Sequence, residues 1–95
     1  MPKFQVLLRG ENFPINWEYG TRLTGFYTTR YVRANSVDEA EQKALDLVRH
    51  DPDLLSMLSP NREADPQVYL EQIAQAPWWK KRGGSGYTFY PMEEA

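Results

Sequence analysis

Residues 23–40 read LTGFYTTRYVRANSVDEA, and this stretch decides the fold. From Leu23 to Ala34, β-branched and aromatic residues dominate. In an extended chain they divide into two rows, with Phe26, Thr28, Arg30 and Val32 on one side and Tyr27, Thr29, Tyr31 and Arg33 on the other. Two residues further on, Ser36 followed by Glu39 gives a capping pattern, in which a hydroxyl accepts from an early helix amide while a carboxylate reaches back. A helix should begin there. Val37, Ala40, Ala44, Leu47 and Val48 recur at spacings of three and four and mark its apolar stripe. Asp38 and Glu39 at its start and Arg49 at its end suit the helix dipole, and Pro52 stops it near His50.

Upstream, Lys3 to Arg9 alternates, with Phe4, Val6 and Leu8 against Lys3, Gln5, Leu7 and Arg9, which predicts a half-buried strand. Gly10-Glu11-Asn12-Phe13-Pro14 interrupts it. From there to Gly20, turn formers mix with Phe13, Ile15, Trp17 and Tyr19, which reads as a folded loop or a short hairpin arm. Downstream, Leu54, Leu55, Met57 and Leu58 add one more helical turn before Ser59-Pro60-Asn61. Gln67 to Gln75 has two readings. As a strand it sets Val68 and Leu70 against Tyr69 and Ile73; as a helix it would start behind Asp65-Pro66. Gly86 to Pro91 is strand-like, and local antiparallel pairing across the Lys80-to-Gly84 loop decides for a strand upstream of it. Met92 to Ala95 reads as a frayed tail.

The order strand, strand, helix, strand, strand predicts an α+β fold: an antiparallel sheet of three or four strands with one main helix on one face. The passage Tyr31-Val32-Arg33-Ala34-Asn35-Ser36-Val37-Asp38-Glu39-Ala40 resembles the strand-to-helix turns of ferredoxin-like plait modules. The resemblance covers ten residues and implies a ββαββ variant of that plait; it implies no activity, since the architecture hosts enzymes, sensors and binders alike. Gly83-Gly84-Ser85-Gly86 is too short for an interdomain linker, so residues 1–95 are expected to form a single domain.

Composition narrows the function classes. Hydrophobic residues at 41%, charged residues at 25% and three Trp, six Tyr and four Phe supply enough apolar surface to offset the entropy of ordering the chain. A formal charge of −2 gives no long-range attraction for polyanions, so any contact with nucleic acid has to be local. With no cysteine there is no disulfide framework and no thiolate site, which makes a reducing cytoplasm the simplest setting. The apolar runs fall far short of the roughly 20 residues that cross a bilayer, so no membrane association is expected.

Four places can carry chemistry. Trp78 and Trp79 next to Lys80-Lys81-Arg82, followed by Tyr87-Thr88-Phe89-Tyr90, combine stacking rings with cations, as single-strand binders do. Packing of the tryptophans at a strand end, with the lysines keeping a hairpin turn solvated and blunting an edge, is the favoured account of them. Arg30 and Arg33 with Arg9 and Arg22 can converge on an anion, although Arg30, sharing a row with Phe26 and Val32, fits better in a structural pair with a carboxylate such as Glu71. Glu11, Asn12, Trp17, Glu18 and Tyr19 form a polar and aromatic loop of the kind that rims a ligand or partner site. His50 has no identifiable nucleophile or second base and is explained by its helix C-terminus. The sequence holds no zinc ligand set and no phosphate-binding glycine loop, so no metal and no cofactor is expected.

One helix covers one face of such a sheet, while Tyr27 and Tyr31 load the other. The expectation is therefore a small non-enzymatic binding module, paired as a homodimer through its sheet face and contacting a protein or small-molecule ligand through Glu11, Asn12, Trp17, Tyr27, Arg30 and Tyr31. Local binding of single-stranded nucleic acid through residues 78–90, Trp78 and Trp79 included, is the first alternative. A small enzyme with carboxylates and arginines in a dimer cleft is the second.

Overall fold

The computed structural model describes residues 1–60, 65–77 and 86–92. Two long strands, β1 (Lys3–Trp17) and β2 (Gly20–Arg33), make an antiparallel hairpin closed by the two residues Glu18-Tyr19. Gly20 leaves this turn at φ 129°, a conformation open to glycine because it lacks a Cβ. The register runs from Lys3↔Arg33 to Gly10↔Phe26 and resumes at Phe13↔Thr24, so Glu11 and Asn12 together stand opposite Gly25 as a β-bulge.

This bulge corrects the sequence reading, which ended the first strand at Arg9. The extra residue is absorbed by Asn12 in the left-handed region at φ 64°, and the strand continues past it. Pro14 is tolerated because its carbonyl points away from β2, accepting from the Ser59 amide at 2.7 Å, so the missing N–H removes nothing from the hairpin ladder. Residues 10–20 are thus an arm of the hairpin. Asn12→Gly should leave the denaturation midpoint nearly unchanged, whereas Asn12→Val should cost about 1–2 kcal/mol, because a β-branched side chain opposes the left-handed backbone. Urea titrations of the two variants check this.

α1 (Val37–Arg49) starts as the cap predicts: Ser36 Oγ accepts from the Glu39 amide at 3.1 Å. The Glu39 carboxylate reaches one residue beyond the cap, to the Asn35 amide at 2.6 Å. His50 closes the helix, its amide donating to the Asp46 carbonyl and its ring Nδ1 lying 3.0 Å from the same oxygen, in keeping with its structural reading. A short α2 (Pro52–Met57) follows, capped by Asp51 with proline in its first turn. The buried stripe of α1 is Ala40, Ala44, Leu45 and Val48, while Val37 and Leu47 are half exposed. The helix is therefore rotated toward Leu45 relative to the predicted stripe.

β3 (Gln67–Ala76) and β4 (Thr88–Pro91) complete an antiparallel four-stranded sheet in the order β3-β1-β2-β4. Gln67–Ala76 is a strand, as pairing favoured, but its partner is β1, and β4 pairs with β2 at the opposite edge. The expected local hairpin between them is not formed. The two margins of the core explain why: Val68, Leu70 and Ile73 pack beyond β1, and Tyr87 and Phe89 pack beyond β2. A second register shift, opposite Leu7 and Leu8, inserts Glu71 and turns Ile73 to the side of Val68 and Leu70, where strict alternation had placed it with Tyr69.

The core lies between one face of the sheet and the helices. Phe4, Val6, Leu8, Phe13, Ile15, Phe26 and Val32 meet the α1 stripe and Leu54 of α2. The α+β reading, the antiparallel sheet and the single main helix hold. Among the described residues no helix is long and apolar enough to cross a membrane.

Candidate functional site

The register sorts the candidate residues by face. Gln5 lies across from Tyr31, Leu7 from Thr29 and Arg9 from both Tyr27 and Tyr69, and all of these are on the side opposite α1. Tyr90 joins them. Its ring covers Gly25 and lies 5.5 Å from that of Tyr27. No helix of the described residues packs on this face, and Tyr27 and Tyr69 are 39% and 42% exposed. Tyr31 donates to Gln5 Oε1 at 3.3 Å. Tyrosines that keep an apolar ring body and a hydrogen-bonding tip are the side chains most suited to a surface that is wet when free and dry when covered.

Arg9 organises the β3 side of this face. Its guanidinium pairs with Glu11 and with Glu71, the latter at 2.9 Å, and lies 4.9 Å from the centre of the Tyr69 ring. The hydrogen bond to Glu71 raises its pKa further above the ordinary arginine value, so it stays charged throughout. Glu11 is thereby placed in an ion-pair network that the sequence reading did not foresee, and Asn12 is accounted for by its bulge.

Arg30 is on the other face, 6% exposed beneath the helices. Its partner is Asp51 at 3.3 Å, which corrects the expected pairing with Glu71. Tyr87 completes a triad: its hydroxyl donates to Asp51 Oδ2 at 2.6 Å and accepts from Arg30 Nη2 at 2.9 Å. Asp51 uses its second oxygen to cap α2, so the triad ties the α1–α2 junction to β2 and to the residue that leads into the last strand. Burial pushes the Tyr87 hydroxyl well above the usual tyrosine range, the Asp51 acceptor adds to this, and Arg30 opposes it. Because the folded state holds this proton more tightly than the unfolded chain, the contribution is complete below about pH 10 and is lost progressively above it. Thermal melts between pH 9 and 11 should show Tyr87→Phe with a shallower alkaline decline than the parent protein.

The arginines do not converge. Arg30 is under the helices, Arg9 and Arg33 are on the helix-free face, and Arg22 lies across from Ile15 near the hairpin tip. Glu11 and Glu71 are likewise separated from Arg30 by the thickness of the sheet, and no group of three His, Cys, Asp or Glu able to hold a metal occurs among the described residues. Trp78, Trp79 and the basic residues after them lie outside the described residues. Of the aromatic run that follows, Tyr87 and Phe89 pack edge-on against Phe26 in the core, which leaves Tyr90 on the helix-free side.

Trp17 stands at the end of the arm in a cleft of about 210 Å³ formed with Tyr19, Arg22, Leu23, Phe89 and Pro91. Its indole N–H donates to Thr24 Oγ1 at 3.2 Å, and its ring meets the edge of Phe89 at 5.6 Å and lies nearly parallel to Tyr19 at 6.4 Å. Sequence reasoning named Trp17 and Phe89 in two separate candidates and did not bring them together, and it did not single out Pro91, which arrives with Phe89 from the far end of the chain. A glycine inside a strand, Gly25, was the available signal that a ring from another strand lies close by. Compared with protein-family models, curated proteins and solved structures, the chain matches none of them.

Proposed function

We propose that the chain is a small non-enzymatic binding module that works as a pair of copies joined through the helix-free face of the sheet, with the Glu11-to-Tyr19 arm left to contact a protein or small ligand. The observation that carries this reading is the shared face of Leu7, Tyr27, Tyr31, Tyr69 and Tyr90, over which no described helix lies. At about 16 Å² of sheet per residue, the four strands present roughly 700 Å² there, close to the roughly 800 Å² per partner of a standard stable interface. A second copy is the occupant with complementary charge, since the face carries Lys3, Arg9 and Arg33 together with Glu11 and Glu71, and a two-fold axis brings unlike parts of such a surface together.

The capped turn at residues 31–40 supports a further reading of the fold as a plait variant with β3-β1-β2-β4 strand order. The absence of cysteine supports a cytoplasmic setting. Light scattering coupled to size exclusion should return twice the 11.1 kDa chain mass. Tyr27→Arg, which places a cation at the centre of the face and leaves the core alone, should return the monomer with an unchanged far-UV spectrum. A parent protein that is monomeric at every concentration rejects the pairing.

A further inference from the structure

We propose that the outer edge of β3 takes up an extended segment of a partner protein as an added strand, with an aliphatic side chain of that segment seated in the groove between β3 and the helices and an acidic one beside Arg49. This surface is one that the binding reading leaves unused, and it does not depend on the pairing of two copies.

The edge dictates a strand. β3 is at one margin of the sheet, and among the described residues no strand pairs with its far side. Backbone donors and acceptors along such an edge recur about every 7 Å, a row that an extended chain matches and a helix or a flat apolar surface does not. The two margins differ. β4, at the other one, has four residues and closes with Pro91, and both features discourage an added strand. β3 has ten residues, with prolines only at its flanks, Pro66 and Pro77, and no Lys or Arg. Its single charge, Glu71, is already held by Arg9. The bulge at Glu71 divides this edge into two runs, 67–70 and 72–76.

The groove selects the first run. A space of about 210 Å³ lies between Val68 and the helical residues Val48, Leu54 and Leu55, with Leu58 just beyond them. Val48 and Leu54 are fully buried at its floor, and Leu55 is 49% exposed at its rim. The volume exceeds the roughly 150 Å³ that holds benzene, so it takes one large aliphatic side chain. In a strand added along residues 67–70, alternate side chains point to the helix side, as Val68 does, and one of them comes over this groove.

Charge adds the last element. Arg49 lines the same groove, and the partner described for it is Asp46 on its own helix, an exposed contact of 3.8 Å that holds it weakly. An acidic residue two positions from the aliphatic one is on the same side of the added strand and meets this cation.

The test uses the full chain and the peptide acetyl-Thr-Val-Thr-Leu-Thr-Asp-amide, followed by nitrogen–proton correlation spectra and amide hydrogen exchange. In the free protein, alternate amides of β3 should exchange rapidly. With peptide they should become protected and shift saturably, with a dissociation constant on the order of 0.1–1 mM. N-methylation of one alternate set of peptide amides should abolish binding, and methylation of the other set should leave it. Leu55→Glu, at a half-exposed position, should weaken the peptide about tenfold by placing a charge on the groove wall. Arg49→Gln should weaken it about two- to fivefold and leave the Asn analogue of the peptide unaffected. Equal effects of the two methylation patterns, or no saturable shift along β3 in the folded parent protein, overturn the proposal. So does protection of the β3 edge before peptide is added, which would mean that a second copy or the chain itself already fills it. Tyr27→Arg separates the two readings, because it should change the molecular mass and leave this titration as it was.

Discussion

Gly10→Ala should destabilise the protein by about 3 kcal/mol, the upper end of what overpacking a core costs. Gly10 faces the helices directly across from Phe26, and the Phe26 ring lies over the backbone where a side chain would otherwise stand. An added Cβ would fall inside contact distance of Cε2 and Cζ and 2.8 Å from Cδ2. The ring has nowhere to go. It is fully buried, with Phe13 at 4.9 Å and Tyr87 at 5.0 Å from its centre. For a domain of this size that cost corresponds to a fall in melting temperature on the order of 15 °C. Gly25→Ala is the internal control. Its Cβ would meet Tyr90, 2.5 Å from Cε1, but that ring sits on the helix-free face and can swing outward, so the loss should be about 1 kcal/mol. Equal melting temperatures for the two variants would mean that Phe26 is not confined as described.

Asp51→Ala should cost a similar amount, about 3 kcal/mol, through charge instead of volume. Removing the carboxylate leaves the Arg30 guanidinium buried without its Asp51 counter-charge and strips Tyr87 of its acceptor. It also deletes the α2 cap made to the Asp53 amide at 3.0 Å. Arg30→Met should be milder, at about 1–2 kcal/mol, because Asp51 keeps Tyr87 and the Asp53 amide and is closer to solvent. The double variant Arg30→Met/Asp51→Ala should then be more stable than the two single losses added together, by about 1–2 kcal/mol, since it no longer buries a guanidinium that has lost its Asp51 carboxylate. Chemical denaturation of the four proteins gives that coupling directly, and strict additivity would remove the triad from the account of the core.

Local signals carried the architecture. The capping pattern at Ser36 and Glu39, the alternation of Phe4, Val6 and Leu8 and the two rows of β2 each concern a few neighbouring residues, and each appears in the structure. What the sequence left unread depends on partners distant along the chain. Arg30 meets Asp51 because the α1–α2 junction folds over β2, and nothing near Arg30 announces it. The partner of β3 was misjudged because nearness in sequence was used where the two margins of the core decide. Ile73 faces the core only because a bulge shifts the count by one, and a strict period of two has no way to foresee such an insertion. Of the candidate residues, Tyr27 and Tyr31 were placed correctly on the loaded face, Arg30 makes the structural carboxylate pair its row favoured, though with Asp51 and not Glu71, and Glu11, expected to rim a ligand site, is engaged in an ion pair on the opposite side of the sheet.

The strand order has a consequence for biosynthesis. The two central strands lie within the first 33 residues, whereas the bordering strands come from the last third of the chain. A nascent polypeptide can close the central ribbon in microseconds, long before translation at ~5–20 residues per second delivers either border. Until then both flanks of the ribbon display unpaired amides and carbonyls, although the helices, which come next in the chain, are already made and can cover one face. Chaperone engagement, if the cell supplies any, is most needed in that interval, and the late-made β4 is the piece whose arrival ends it.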